Sequence, residues 1–207
     1  MVLALGLSGA VGTVLLHDSG SVTSPPPPAL TGASVDHGDS NVLVSAGPGS
    51  PDLVVFLDLE SQRCRVALPV IDRVRADYRG RAKVVLRYAF TNGHTNSMDA
   101  ARALEAASRQ GELEGMVHRI CETEDWREGR DSQLSRFRGF AEDLGLDIAR
   151  FQSDLSEPGI RDRMEEDRRD AIALGVQDTP AFFLNGRRIQ PVSESGLRQL
   201  LDEVIES

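Results

Sequence analysis

At 207 residues the chain is long enough for one domain with a sizeable core, and its 40% hydrophobic and 27% charged residues are typical of a globular protein. The formal net charge of -9 argues against nucleic-acid binding, since phosphate contacts require clustered cations. Two cysteines, Cys64 and Cys121, are too few for a disulfide framework, and no metal-ligand spacing is present.

The first part of the chain has the layout of an exported or tethered protein. Val2 to Leu16 is apolar, short for a membrane span and close to the hydrophobic region of a signal peptide. The following segment contains Pro25 to Pro28, which indicates a stiff spacer of the polyproline type. We therefore predict a signal-like or membrane-anchor segment over 1–17, a linker over 18–40, and a domain that lies outside the cytoplasmic membrane. Cleavage and permanent anchoring both stay open.

The first elements of the predicted domain alternate between strand and helix. Val42-Leu43-Val44 predicts an edge strand, and Leu53 to Leu57 predicts a strand buried on both faces, as parallel strands are. A helix over 62–78 and a strand over 82–88 follow. Strand, helix and strand of these lengths predict a parallel, right-handed βαβ unit.

The helix over 62–78 has two informative features. Pro69 lies inside it, where a proline costs about 3 kcal/mol unless the helix bends. Its apolar residues at helical spacing predict one buried face. That face would comprise Ala67, Val70, Ile71, Val74 and Tyr78.

The second half of the chain is mostly helical. Helical spacing with turn signals between segments predicts helices near 95–110, 112–121, 131–144, 147–155 and 158–174. Asn185-Gly186 between two short apolar runs predicts a two-residue β-hairpin turn, and a terminal amphipathic helix follows over 194–205. The whole pattern predicts a small α/β sheet split by an inserted helical bundle.

The most informative stretch is the turn between the first buried strand and the first helix. Ser61, a preferred N-cap residue, follows the strand, and the helix opens with Gln62-Arg63-Cys64. A helix N-terminus at such a turn stabilises an anion, and a thiolate is a common one. Ser61 and Cys64 have the spacing of a Cys-x-x-Cys motif, but the first position is a hydroxyl.

These motifs, in this order, resemble the DsbA-like branch of the thioredoxin superfamily over roughly 47–206. Phe56-Leu57-Asp58 and the turn after it are similar to Phe-x-Asp-aromatic-x-Cys-Pro-x-Cys, and Pro69 coincides with the helix-kinking proline of thioredoxins. Residues 175–186 are similar to the family's Gly-Val-x-Gly-Thr-Pro-x-Phe-Phe-x-Asn-Gly signature, in which the Thr-Pro bond is cis and faces the turn.

The resemblance implies a fold and a domain organisation. We expect a thioredoxin-like α/β fold over 41–90 and 175–207 with an inserted α-helical domain over 91–174. The implied activity is that of a thiol–disulfide oxidoreductase that needs no cofactor. Its implied partners are cysteine-containing or unfolded exported proteins and a redox partner in the membrane.

The resemblance also assigns roles within the site. Ser61 occupies the position of the attacking cysteine, and Cys64 matches the resolving cysteine. The implied catalytic group is therefore Ser61, Cys64, Thr179 and Pro180, and the implied substrate-binding group is Gln62, Arg63, Thr179 and Pro180. Asp58, at the end of the buried strand, could relay a proton or simply be a hydrogen-bonded strand-end acid. Because a serine hydroxyl does not ionise usefully, we expect weak or absent dithiol oxidase activity.

Several alternatives stay open at this level. Cys64 is either a reactive single thiol or a buried relic, and a disulfide with Cys121 requires a distance that sequence does not give. Peptide binding near Thr179 and Pro180 by β-augmentation needs no cysteine, so a non-catalytic, chaperone-like module is a rival function. A serine-dependent thiol-cofactor transferase or isomerase, as in kappa-class glutathione transferases and chromene-carboxylate isomerases, is a further one for Ser61.

Overall fold

The computed structural model describes residues 33–127, 129, 131–191 and 193–207. Its strands are β1 (Asn41–Val44), β2 (Asp52–Leu57), β3 (Lys83–Tyr88), β4 (Ala181–Leu184) and β5 (Arg187–Ile189). Its helices are α1 (Gln62–Asp77), α2 (Ser97–Ser108), α3 (Leu113–Glu122), α4 (Leu134–Asp143), α5 (Ile148–Leu155), α6 (Pro158–Ala173) and α7 (Glu194–Ile205). The predicted segment 1–17 and most of the predicted linker lie outside the described residues. Among the residues described, no helix is long and apolar enough to cross a bilayer.

The strands form one mixed sheet in the order β1-β3-β2-β4-β5. β2 and β3 are parallel, whereas β1, β4 and β5 each pair antiparallel with their neighbours. Asn185 and Gly186 join β4 to β5 with φ angles of 48° and 75°. Left-handed backbone at both positions of a two-residue turn is why this hairpin uses Asn-Gly. The topology confirms the predicted thioredoxin-like α/β fold.

The central position of β2 explains its unbroken apolar sequence. Leu53, Val55 and Leu57 join the larger core, which α1 and α7 also enter. Val54 and Phe56 face the other side of the sheet and join a smaller core that includes residues of β4 and α6. A strand covered on both faces has no polar side, so alternation disappears from its sequence.

Helices α2 to α6 form the insertion between β3 and β4, as predicted. α2 lies at its centre and packs against α3, α4, α5 and α6. Its small alanines allow this close approach on several sides, and most of them are fully buried. The rings of Trp126 and Phe137, both completely buried, meet edge-to-face at 5.3 Å between centroids.

The buried face of α1 differs in part from the predicted one. Ile71, Val74 and Tyr78 are buried as expected, and Cys64 and Leu68 continue the same face toward the helix start. Ala67 and Val70 are only partly buried: they pack against the same core and also line an open groove beside α1. Pro69 lies inside the helix, as the sequence predicts.

Residues 33–40, the end of the predicted linker, pack against the domain. A buried ion-pair network holds them there. Arg87 of β3, completely buried, donates to Asp167 at 2.9 Å and to Asp170 at 2.8 Å on α6, and also to the backbone oxygen of Ser34 at 2.6 Å. His37 Nε2 lies 2.6 Å from the same Asp170 carboxylate. The folded domain therefore begins before the residue at which the predicted linker ends.

Candidate functional site

The turn that joins β2 to α1 brings the predicted catalytic residues together. Ser61 has extended backbone, with φ of -70° and ψ of 125°, and occupies the N-cap position of α1. Its backbone N–H donates to the carbonyl of Asp58 at 2.9 Å, and its own carbonyl accepts from Arg65 at 3.3 Å. The Ser61 hydroxyl, however, makes no capping hydrogen bond. Ser61 is therefore the N-cap residue of α1, as the sequence predicts, but its side chain does not cap the helix.

Cys64 lies in the first turn of α1, directly beneath Ser61, and only 1% of its surface is exposed. Burial raises the pKa of its thiol to about 11, although the nearby polar side chains of Thr179 and Ser61 act in the opposite direction. The backbone N–H of Asp58 donates to Sγ at 3.4 Å. At neutral pH this residue is a protonated, enclosed thiol, which is the poorly reactive form.

The Asp58 carboxylate is buried and accepts hydrogen bonds from four donors. Oδ2 accepts from the backbone N–H of Thr91 at 2.8 Å and lies 2.7 Å from Nδ1 of His94. Oδ1 accepts from the backbone N–H of Glu60 at 3.0 Å and from the Ser97 hydroxyl at 2.5 Å. These donors come from the turn, from the β3–α2 loop and from the start of α2. Asp58 thus fixes the turn to the insertion.

Glu60 reinforces the same connection. Its Oε2 accepts from the backbone N–H of Asn96 at 2.8 Å and from the Ser97 hydroxyl at 3.2 Å. The Asn96 side chain donates in turn to the carbonyls of Trp126 at 3.0 Å and Gly129 at 2.7 Å. Two carboxylates of the turn therefore hold the N-terminus of α2, whose free N–H groups and positive dipole end favour negative charge.

Cys121 is buried in α3, and both cysteines are free thiols. Ion pairs along α1 and the α3 segment show that the two run antiparallel. The pairs are Arg75–Glu114, Asp72–His118 and Arg65–Glu124. This register places Cys121 about one helical turn along α1 from Cys64. Burial raises the pKa of Cys121 to about 12, so it too is protonated at neutral pH. The disulfide considered from sequence is not formed.

Thr179 and Pro180 face the turn from the strand β4 side, and the bond between them is cis. Pro180 lines a groove of about 360 Å³, bounded on one side by Val66 and Val70 of α1 and on the other by Phe182 and Leu197. We call this cavity the Pro180 groove. Its size is within the range of ligand pockets, and most of its wall is apolar.

The predicted substrate-binding residues lie at the edge of the Pro180 groove. Gln62 and Arg63 both line it. Arg63 Nη2 lies 3.3 Å from Oδ1 of Asp178, and both side chains are about 70% exposed. This surface ion pair links the helix start to the loop before Pro180. The structure thus brings Gln62, Arg63 and Pro180 to one opening.

A second cavity of about 560 Å³ lies on the other side of the same loop. Its apolar lining includes Phe90, after β3, Ile172 of α6 and Val176. The polar side chains of Asn92 and Gln177 also line it. Thr179 lines this cavity too. We call it the Ile172 groove. Ser61 is not among the described residues that line either groove.

A family model described as thioredoxin matches residues 48–203, which is most of the described chain. The chain belongs to the thioredoxin family. Among its relatives is the Na(+)/H(+) antiporter NhaA of Herminiimonas arsenicoxydans, 35% identical over 140 residues, a match that covers 67% of this chain and 21% of the antiporter. The chain spans about a fifth of the length of the antiporters it matches.

Solved structures assign this thioredoxin-family chain to the DsbA-like fold. A thioredoxin-like oxidoreductase from Silicibacter pomeroyi superposes with a TM-score of 0.69 at 23% identity, covering 84% of this chain and 96% of that one. α-DsbA1 of Wolbachia pipientis superposes with a TM-score of 0.70 at 16% identity, covering 83% and 93%. The chain therefore has the fold of DsbA-like thiol–disulfide oxidoreductases, with an inserted helical domain.

Sequence reasoning missed the network around Asp58 and the Ile172 groove. His94 and Ser97 lie more than thirty residues along the chain from Asp58, at separations of 36 and 39. His94 and the segment around it resemble the family's entry into its helical insertion, but that likeness does not show a contact with Asp58, and a serine near the start of a predicted helix carries no signal of its own. Arg87 did carry a signal in the sequence, because a charged residue in an apolar strand pattern indicates a buried ion pair.

Proposed function

We propose that this chain is a thioredoxin-family module that binds extended polypeptide at the Pro180 groove and has weak or absent dithiol turnover. One observation supports this more than any other. The attacking position is Ser61, and the only thiol of the turn, Cys64, is 1% exposed with its pKa raised by burial to about 11. Such a site lacks the ionised, accessible sulfur with which thiol–disulfide exchange begins.

The binding half of the proposal rests on the groove. Val66 lines it and is 68% exposed, so a ligand in the groove can cover this apolar side chain. The neighbouring residues Phe182 and Leu197 extend the apolar surface. Polypeptide in extended conformation can place one apolar side chain there while its backbone lies along the Thr179 segment. None of these contacts requires a cysteine.

We propose an extracytoplasmic position for this module, with exported unfolded or cysteine-containing proteins as ligands. The apolar segment and Pro-rich spacer of the sequence support this, as do relatives named as Na(+)/H(+) antiporters. A redox partner in the membrane is a further proposed contact. A reporter active only outside the cytoplasm, fused after Ser207, tests the position directly. Activity of a cytoplasm-specific reporter at the same point would contradict it.

Peptide binding and turnover are tested separately. Fluorescence polarisation with a labelled, cysteine-free peptide of Gly, Ser, Asn and Leu residues should show saturable binding. Val66→Asp should weaken it at least about tenfold, because a carboxylate replaces buried apolar contact. Val42→Asp is the matched control, since Val42 is also exposed but lines neither groove. Insulin reduction should proceed at the uncatalysed rate, and rapid turnover by the parental protein would overturn the proposal.

A further inference from the structure

The exposed apolar side chains of the described residues point to a second binding surface. Three large apolar side chains are exposed: Val66 at 68%, Ile172 at 63% and Val42 at 42%. The two most exposed lie at the edges of two different grooves. Val66 lines the Pro180 groove, and Ile172 lines the Ile172 groove. Exposed apolar surface beside a cavity is typical of a site that a ligand covers.

The two grooves meet at one ridge. Pro180 lines the first groove and Thr179 lines the second, so consecutive residues separate them. A ligand that passes over this pair of residues can reach both cavities. An extended polypeptide has this shape, whereas a compact small molecule fills one cavity only.

The chemistry of the Ile172 groove suits an extended chain. Phe90 and Val176 offer apolar contact, and Asn92 and Gln177 offer amide donors and acceptors beside it. A peptide backbone in extended conformation presents unpaired N–H and C=O groups that need such partners. The apolar residues of the groove can therefore contact a side chain of the peptide, and the amide side chains can pair with its backbone.

Charges around the two grooves are already paired within the domain. Arg168 Nη2, at the Ile172 groove, lies 2.6 Å from Glu165, and Glu194, at the Pro180 groove, lies 2.7 Å from Arg73. These ion pairs leave little net charge for recognition. The net charge of -9 also repels acidic ligands. The ligand expected here is apolar and not acidic.

We propose that the Ile172 groove is a second subsite for the ligand of the Pro180 groove. An extended, unfolded polypeptide without acidic residues crosses the Thr179–Pro180 ridge and places one large apolar side chain in each groove. This inference rests on the proposed peptide-binding function and specifies its ligand class. Two anchors give the module a preference for unfolded chains, because folded proteins bury most of their large apolar side chains.

The test uses a labelled peptide of Gly, Ser and Asn with two Leu anchors, and the full chain in four forms: parental, Val66→Asp, Ile172→Asp and Val42→Asp. We expect Val66→Asp and Ile172→Asp each to weaken binding about tenfold and Val42→Asp to leave it unchanged. Ile172→Gln, with a smaller expected loss, serves if the charged variant unfolds. Circular dichroism and the unfolding midpoint confirm that each variant is folded.

A photo-reactive phenylalanine at each anchor in turn provides the second measurement. One anchor should cross-link to α1, and the other to residues 168–177. If Val66→Asp weakens binding but Ile172→Asp and Ile172→Gln do not, and no cross-link reaches 168–177, the second subsite is excluded and the proposed function stands. If the parental chain binds no peptide, both proposals fail. Loss of a parental dimer in Ile172→Asp, measured by sedimentation, would assign the groove to a second copy and overturn this inference.

Discussion

The backbone N–H of Asp58 donates a hydrogen bond of 3.4 Å to the sulfur of Cys64, which places the end of β2 directly against the thiol. The contact is enclosed on every side, since both residues are 1% exposed. The contact belongs to the turn that contains the start of α1 and the buried Asp58 carboxylate, and Pro180 faces this turn. By the family resemblance, Ser61 stands where the attacking cysteine would be and Gln62 stands where the motif has proline.

Ser61→Cys should restore turnover. A thiol at the start of α1 lies where the helix N-terminus lowers its pKa, and it can then be resolved by Cys64. We expect insulin reduction to rise by at least about 100-fold over the parental chain. Ser61→Ala should stay inactive, and Ser61→Cys with Cys64→Ser should accumulate mixed disulfides. A fully folded Ser61→Cys protein without activity would show that the turn does not act as a redox turn.

Asp58→Asn should destabilise the domain. An asparagine has one acceptor oxygen and a donor NH₂ group, whereas the site presents four donors to the carboxylate. We expect a loss of about 2–4 kcal/mol in the free energy of unfolding, measured by urea denaturation. Asp178→Asn, at an exposed ion pair, is the control and should change it by less than about 0.5 kcal/mol. Equal effects of the two variants would contradict this role of Asp58.

Arg87→Met should lower the free energy of unfolding by more than Asp58→Asn does. It leaves the carboxylates of Asp167 and Asp170 buried without their cation, and such a loss typically costs about 3–5 kcal/mol. Adding Asp167→Asn should recover part of the loss by removing one uncompensated charge. Arg168→Met removes an exposed ion pair and serves as the control. If the double variant is less stable than Arg87→Met, the network does not act as a charge pair.

Stability should fall at high pH because of the buried thiols. Burial raises the pKa of Cys64 from 9.0 to about 11, so between these values the folded chain keeps a proton that the unfolded chain loses. The contribution is complete below the unfolded pKa and is lost as the pH rises through the folded one, by about 2–3 kcal/mol. Urea unfolding under reducing conditions should show this decline. In Cys64→Ala the decline should be shallower, and an unchanged slope would contradict the burial effect.

Elements with strong local signals could be predicted from the sequence. The terminal helix has the predicted limits, from Glu194 to Ile205, and the Asn185-Gly186 turn joins the predicted hairpin. Local chemistry decides both, because amphipathic spacing and the left-handed turn need no distant partner. β2 was equally clear, since a strand covered on both faces is apolar throughout.

Features that depend on distant packing could not be predicted. Ala67 and Val70 have the spacing of a buried face, yet they are only partly buried, because they also line a groove between α1 and the residues around Pro180. The Ser61 hydroxyl satisfies a capping pattern in sequence but makes no cap in the structure. The Ile172 groove is built from the end of α6 and the loop after β3, which are far apart in the chain. Periodicity within one segment does not contain this information.

Thiol labelling of the folded protein tests the central claim most directly. The reduced protein is treated with a maleimide near neutral pH, with and without denaturant, and the modified residues are identified by mass spectrometry. Because Cys64 and Cys121 are buried and protonated, we predict that both stay unmodified in the folded chain and that both react at once in denaturant. Rapid labelling of the native protein that disappears in Cys64→Ala would show a reactive thiol and contradict the claim.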